Sequence, residues 1–217
     1  MKYCLRLSKI VWVLLMFCSC AKSPYTVLNP CEQCPTIDEF QPQIDKKLYR
    51  CIVDGKSIFK TYHLSGILIF KTMGDGSLRT VFQNEMGLNF FDFEWSPSMD
   101  FKVISIMPQL DKAALIQTLR KDFEILMGQK MNQKSGTEFR AKNNMAVVFG
   151  RGEGTVAYIK SSGKSRIENW GKRKKVITIS SEKNWDFKAL PSQLLIVHHR
   201  ANFKIDLSEF IQNESQE

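Results

Sequence analysis

From Lys47 onward, apolar residues recur in short runs rich in Val, Ile, Phe and Tyr. Turn-forming pairs separate them: Asp54-Gly55, Asp75-Gly76, Met86-Gly87, Gly152 to Gly154 and Ser162-Gly163. Short runs bounded by glycine turns predict an antiparallel meander. Strands are expected near 48–53, 58–71, 77–84, 88–95, 101–106, 144–150, 155–160, 165–170, 174–180, 193–199 and 202–208. Within LNFFDFEW, alternation puts Phe91, Phe93 and Trp95 on one face and Asp92 and Glu94 on the other, together with Phe90. One face is thus apolar and the other mostly wet. A single segment breaks the pattern. In PQLDKAALIQTLRKDFEILMG, Leu115, Leu119, Phe123 and Leu126 recur at helical spacing, Asp111 is placed to cap the start and Gly128 to end it. The expected fold is mainly β with a helix insertion, the helix laying its stripe on the concave face of a strongly curved antiparallel sheet. Such layers either enclose an apolar cavity or close as a solid core, and the pattern leaves both open.

The first residues follow another grammar. Lys2, Arg6 and Lys9 precede an apolar run from Ile10 to Phe17, and small polar residues follow at Ser19, Ala21 and Ser23. That is the layout of a secretory signal over residues 1–19, too short in its apolar part to span a bilayer. Ser19-Cys20 at its end resembles the lipobox of bacterial lipoproteins, which implies acylation of Cys20. Cys18 is the poorer candidate because bulky Phe17 precedes it, and an ordinary cleaved signal is the alternative. Acyl chains contribute ~0.8 kcal/mol per buried CH₂ and would hold the protein on a membrane without a spanning helix. Residues 20–43 carry four prolines and no sustained periodicity. They read as a lipid-anchored tether, leaving 44–217 as the folded domain.

Cys31 and Cys34 form a C-x-x-C flanked by Pro30 and Pro35. A redox site needs a strand before the motif and a helix after it, and zinc needs a second ligand pair. Neither is present, so the expectation is a small disulfide loop, or a link to Cys51. No metal and no cofactor are expected. The formal charge of +9 falls to +6 once the signal, with three basic residues and no acidic one, is removed. A basic surface beside a membrane suits anionic headgroups; nucleic acid is not an expected partner of an exported protein. The run GKRKK at 171–175 supplies Lys172, Arg173 and Lys175, either as a solvated strand edge or as a contact for headgroups or an acidic carrier. The histidines are His63, His198 and His199. Adjacent strand residues point to opposite faces, so His198 and His199 cannot share one metal. No nucleophile elbow, P-loop or zinc-protease motif occurs, GRGEG at 150–154 reads as a hairpin turn, and no enzyme is expected.

SLRTVFQNEMGLNFFDFEW is similar to the central hairpin of the LolB-type lipoprotein-localisation receptors. The helix LDKAALIQTLRKDFEILMG, the pair RIENW and KVITIS, and the closing LPSQLLIVHHRANFKIDLSEF follow that family's order of elements over roughly residues 48–210. The resemblance implies a LolA/LolB-like half-barrel covered by one or more helices, with a cavity for acyl chains of lipoproteins or phospholipid. Ile67, Ile69, Phe82, Phe91, Phe93, Trp95, Leu115, Leu119 and Phe123 are the candidate cavity residues. It also implies a periplasmic LolA-like carrier as partner, a monomer, and a periplasm-facing place on the outer membrane of a double-membraned bacterium. The exposed turn residue that aids membrane insertion in that family corresponds to Met86, with Glu85 standing where the family has Pro; a turn residue folded back over the core is the alternative. A lipid-anchored structural or interaction protein with a filled core is the alternative.

Overall fold

The computed structural model describes residues 34–56, 61–141, 144–172 and 174–210. The leader, Cys20, Cys31 and Arg173 lie outside the described residues. Twelve strands form one antiparallel sheet: β1 (Lys46–Lys56), β2 (Thr61–Thr72), β3 (Leu78–Gln83), β4 (Asn89–Trp95), β5 (Phe101–Ile106), β6 (Thr137–Ala141), β7 (Asn144–Arg151), β8 (Gly154–Ser161), β9 (Lys164–Trp170), β10 (Lys175–Ser181), β11 (Gln193–His198) and β12 (Phe203–Glu209). Each expected strand is present. The unexpected one is β6, five residues of mixed polarity after a polar loop, too short to announce itself by alternation.

The spatial order is β5-β4-β3-β2-β1-β12-β11-β10-β9-β8-β7-β6. Two strands consecutive in sequence, β5 and β6, are therefore the two edges, and the segment joining them carries the helix α1 (Ala113–Leu126) from one edge to the other. The sheet is rolled, as the contacts of that helix require. Phe123 meets Phe70 on β2 at 5.6 Å, and Phe91 and Trp95 on β4 at 6.0 and 6.2 Å between ring centroids. Two residues later the Ile125 carbonyl accepts a hydrogen bond from Tyr158 on β8 at 3.3 Å. Eight interstrand spacings separate β4 from β8, which in a flat sheet amounts to about 38 Å, whereas a helix is only about 10–12 Å across. One helix touches both only because the sheet curls around it.

Alternation holds along the inner face: Leu68 and Phe70, Thr80 and Phe82, Phe91, Phe93 and Trp95, Ile177 and Ile179, Leu194 and Ile196, and Ile205 and Leu207 are all buried. Two local expectations differ from this structure. Phe90 does not share the wet face with Asp92. A β-bulge, where Phe82 pairs with Phe91 and Gln83 with Asn89, leaves Phe90 unpaired and turns its ring to 4.7 Å from that of Phe82. Asp92 is itself buried, because Arg79 lies over it with a two-pronged ion pair, Nε to Oδ1 at 3.0 Å and Nη2 to Oδ2 at 2.6 Å.

The helix start also differs. Lys112, not Asp111, occupies the N-cap position, and it makes no side-chain cap. Gly128 ends the helix as expected, with φ +66°, a conformation that favours glycine. Residues 36–43, expected within the tether, belong to the folded unit. Ile37 N donates to the Lys134 carbonyl at 2.8 Å, Gly136 N donates to the Pro35 carbonyl at 2.9 Å, and a 3-10 turn at Ile37–Phe40 buries Ile37 and Phe40. The Phe40 ring sits 4.6 Å from Tyr158 and 5.5 Å from Phe149. Proline content suggested a linker, but two apolar residues three apart were enough to dock it.

Because neighbouring strands run antiparallel, the turns divide between two ends. The connections β1–β2, β3–β4, β7–β8, β9–β10 and β11–β12 lie at one end, here the turn end, and β2–β3, β4–β5, β6–β7, β8–β9 and β10–β11 at the other. Phe123 is the ring on which β2, β4 and α1 converge. Phe123→Ala should lower unfolding stability by about 3–5 kcal/mol, read as a fall in the denaturant midpoint without loss of the native fold in buffer.

Candidate functional site at the turn end of the sheet

Met86 sits at the tip of the β3–β4 turn and is 92% exposed, with Leu88 beside it 56% exposed. The tip is held in place rather than loose. Met86 N and Leu88 N both donate to the Asn84 side-chain oxygen, at 3.0 and 2.8 Å. Asn84 N donates to the Leu88 carbonyl and Gly87 N to the Asn84 carbonyl, each at 3.0 Å. Gly87, at φ +83°, takes the left-handed position that closes the turn. Asn84 and Gly87 are thus the sequence features that build the tip, and Met86 is what it presents. Leu88 escaped notice because it reads as the first residue of a strand, whereas the strand begins one residue later, at Asn89.

The candidate cavity residues separate into two groups. Phe82, Phe91, Phe93, Trp95, Leu119 and Phe123 are all buried on the inner face. Phe91 stacks on Phe93 at 4.5 Å with an 18° tilt, and Phe93 and Trp95 both hold Phe101 at 5.2 Å. Leu115 packs partly buried against the same cluster. Ile67 and Ile69 do not join them. The pairing of β2 with β1 and β3 turns Leu68 and Phe70 inward, so the two isoleucines lie half-buried on the outer face. Surface clefts among the described residues include ones of about 630, 430 and 190 Å³, and none of the nine candidates lines these three. The rings occupy the space between sheet and helix.

Polar groups inside this apolar layer were not anticipated. Asp122 lies on the buried stripe of α1, between Leu119 and Leu126, and is 1% exposed. Its Oδ2 is 2.8 Å from Nε2 of His198 on β11, without the in-line geometry of a hydrogen bond. The His198 ring in turn stacks on Phe203, with centroids 3.8 Å apart. Burial lifts the Asp122 carboxyl above the usual carboxylate range, more than His198 and Arg151 pull it back. Glu124, next but one, goes the other way. Burial alone would raise it, but Arg120 Nε at 2.8 Å and Arg151 Nη2 at 2.6 Å hold it lowered. An Asp on a stripe of leucines was the available signal for the first pair; for the second, Arg120 and Glu124 stand four apart on the helix, but nothing local marks Arg151. His199 points outward, its Nε2 2.8 Å from the Thr178 hydroxyl, opposite to His198.

The basic run divides as well. Lys175 reaches Glu168 at 3.0 Å and lies 5.2 Å over the Trp170 ring, so it is engaged within the sheet. Lys172 is exposed at the turn end and pairs with Glu153 at 2.9 Å. Cys34 is disulfide-bonded, to a partner outside the described residues. Cys51 is free and buried, its thiol pushed up to about 12 by burial and by Asp206, which removes the expected link between Cys34 and Cys51. Among the described residues, no helix is long and apolar enough to cross a membrane, and no group of three His, Cys, Asp or Glu side chains is placed to hold a metal.

The described residues thus form an open, rolled antiparallel sheet of twelve strands gripping a single α-helix, with an apolar tip at the turn end. No family model matches the chain, and no curated protein matches it. Among solved structures it is similar to a domain from Vibrio parahaemolyticus named for outer-membrane lipoprotein sorting, at 10% identity and a TM-score of 0.42, over 83% of this chain and 91% of that one. It is also similar to a DUF1329 family protein from Desulfovibrio piger, at 8% identity and a TM-score of 0.37, over 80% and 88% of the two chains. Likeness this remote leaves any functional reading to rest on the chain's own residues.

Burial of Asp122 fixes a direction of pH dependence. A carboxyl raised in the folded state keeps a proton that the unfolded chain releases above about pH 4. Its contribution is therefore full below that pH and is lost as pH rises. Thermal midpoints of wild type should fall from about pH 4 upward relative to Asp122→Asn, whose profile lacks that component; parallel profiles would mean an Asp122 carboxylate already ionised in the fold.

Proposed function

We propose that the protein is a lipid-anchored receptor of the bacterial envelope. It takes acylated lipoproteins from a soluble periplasmic carrier and releases their acyl chains into the outer membrane from the periplasmic side. The observation that carries this reading is the fixed tip with Met86 almost fully in water and Leu88 beside it. Two large apolar side chains on one rigid turn are costly to leave exposed. Burying either is worth about 1.5–3 kcal/mol, and the acyl layer of a bilayer would provide that burial. A thioether side chain also adapts to irregular apolar surroundings. The proposed cycle needs no catalytic group: acyl chains pass down a gradient of apolar burial, each step set by differential affinity.

Acceptance of a chain requires room between α1 and the sheet, which the rings of Phe91, Phe93, Trp95 and Phe123 now fill. In this reading α1 moves outward with its load, and the Asp122–His198 and Glu124–Arg151 contacts set how firmly it returns. The filled interior favours a second reading, an interaction protein anchored by lipid whose core takes no ligand.

The two are separated by proteoliposomes bearing the full chain, presented with carrier loaded with an acylated lipoprotein. Wild type should transfer the lipoprotein into the bilayer. Met86→Glu should accept it from the carrier but lose at least tenfold in delivery. Absence of transfer by wild type would remove the receptor reading and leave the interaction protein.

A further inference from the structure

A cleft of about 630 Å³ opens at the turn end of the sheet, and its walls come from five separate parts of the chain. Lys121 stands on α1, Lys130 in the loop after it, Arg151 at the end of β7, Lys172 in the β9–β10 turn and Arg200 in the β11–β12 turn. Five cations face the cleft against one carboxylate in its lining, Glu153. Glu153 pairs with Lys172 across two well-exposed side chains, an arrangement worth little in water. Arg151 is fixed as part of the wall, with Nη2 on Glu124 at 2.6 Å and Nη1 donating to the Gln129 carbonyl at 2.5 Å. Lys121, Lys130 and Arg200 have no ion-pair partner among the described residues. Lys130 holds a left-handed backbone at φ +58°, unusual for a side chain of its size.

Three unpaired cations converging beside a fixed fourth are complementary to a group carrying negative charge on several oxygens. The volume falls within the range of small-ligand sites. Its position selects the source of that group. The β7–β8, β9–β10 and β11–β12 turns share the end of the sheet with the Met86 turn, so the apolar tip and the cationic cleft lie on the same rim of the rolled sheet. An apolar projection flanked by positive charge is the pattern that seats a protein on an anionic bilayer.

We infer that this cleft binds the phosphodiester of an anionic phospholipid headgroup, docking the turn end on the membrane while Met86 and Leu88 enter the acyl layer. The inference deepens the receptor reading and rests on its premise that the turn end meets the bilayer. Lys175, a natural candidate from the basic run, takes no part, since Glu168 and Trp170 hold it.

The test uses the full-length protein in non-ionic detergent, titrated calorimetrically with soluble headgroup diesters so that no bilayer contributes. Glycerophosphoglycerol should bind saturably, and glycerophosphocholine more weakly because its own cation opposes the cleft. The double variant Lys130→Gln/Arg200→Gln should lose at least tenfold in affinity with unchanged thermal unfolding, and Met86→Glu should bind as wild type does. Two results would overturn the inference: no binding by wild type, or equal binding by the double variant. Inorganic phosphate binding as tightly as the diester would make this a free-phosphate site, and would overturn it too. So would a double variant that loses carrier docking while wild type binds no diester, since the cleft would then belong to an acidic protein surface. Unchanged bilayer delivery by Met86→Glu alongside retained diester binding would remove the insertion role of the turn and leave the cleft standing.

Discussion

The whole architecture depends on α1 being gripped by a sheet that has rolled around it. An antiparallel sheet twists because of backbone chirality, but twist alone does not bring β4 and β8 to the same fourteen-residue helix. What holds the curl is burial. Phe123 presents one ring to Phe70, Phe91 and Trp95, and Leu119, Ile125 and Leu126 are enclosed with it. The helix lacks a side-chain cap at its start, so its stability comes from this apolar contact far more than from its own ends.

Two carboxylates on the same helix modify that grip in opposite senses. Glu124 bridges Arg120 and Arg151, and so ties the helix to the end of β7. Asp122 is carried into the interior, where its Oδ2 lies 2.8 Å from His198 Nε2. Desolvation makes such a buried pair a weak source of stability. Its consequence is selective placement: of the positions α1 could take along the sheet, only one sets Asp122 against His198.

The turn end is where this construction meets the outside. Antiparallel topology collects five connections there. One carries an apolar tip on a frame of Asn84 hydrogen bonds, and three others carry the walls of a cationic cleft. Rolling the sheet around the helix is what lets residues from α1, β7 and the β9–β10 and β11–β12 turns face one another. Helix grip and surface chemistry are therefore coupled, since Arg151 serves as both the Glu124 partner and a cleft wall.

Much of the fold was written in the order of residues. Period-two runs between glycine turns fixed eleven strands, and a period of 3.6 with a closing Gly128 fixed α1, because these signals are local and repeat several times. The turn at Met86-Gly87 was legible for the same reason, but whether Met86 stands clear of the core or folds back over it was decided only by the structure, which leaves it exposed. Tertiary structure alone decided what depends on pairing. In GILIF every side chain is apolar, so only the register with β1 and β3 chose Leu68 and Phe70 for the interior over Ile67 and Ile69. A bulge, invisible to alternation, moved Phe90 inward. Asp122 and His198 are far apart in the chain, as are Lys121 and Lys130 from Arg151 and Arg200. Sequence gives each residue its chemistry, but only the rolled sheet, through long-range contact, makes a pair of the first two and a site of the rest.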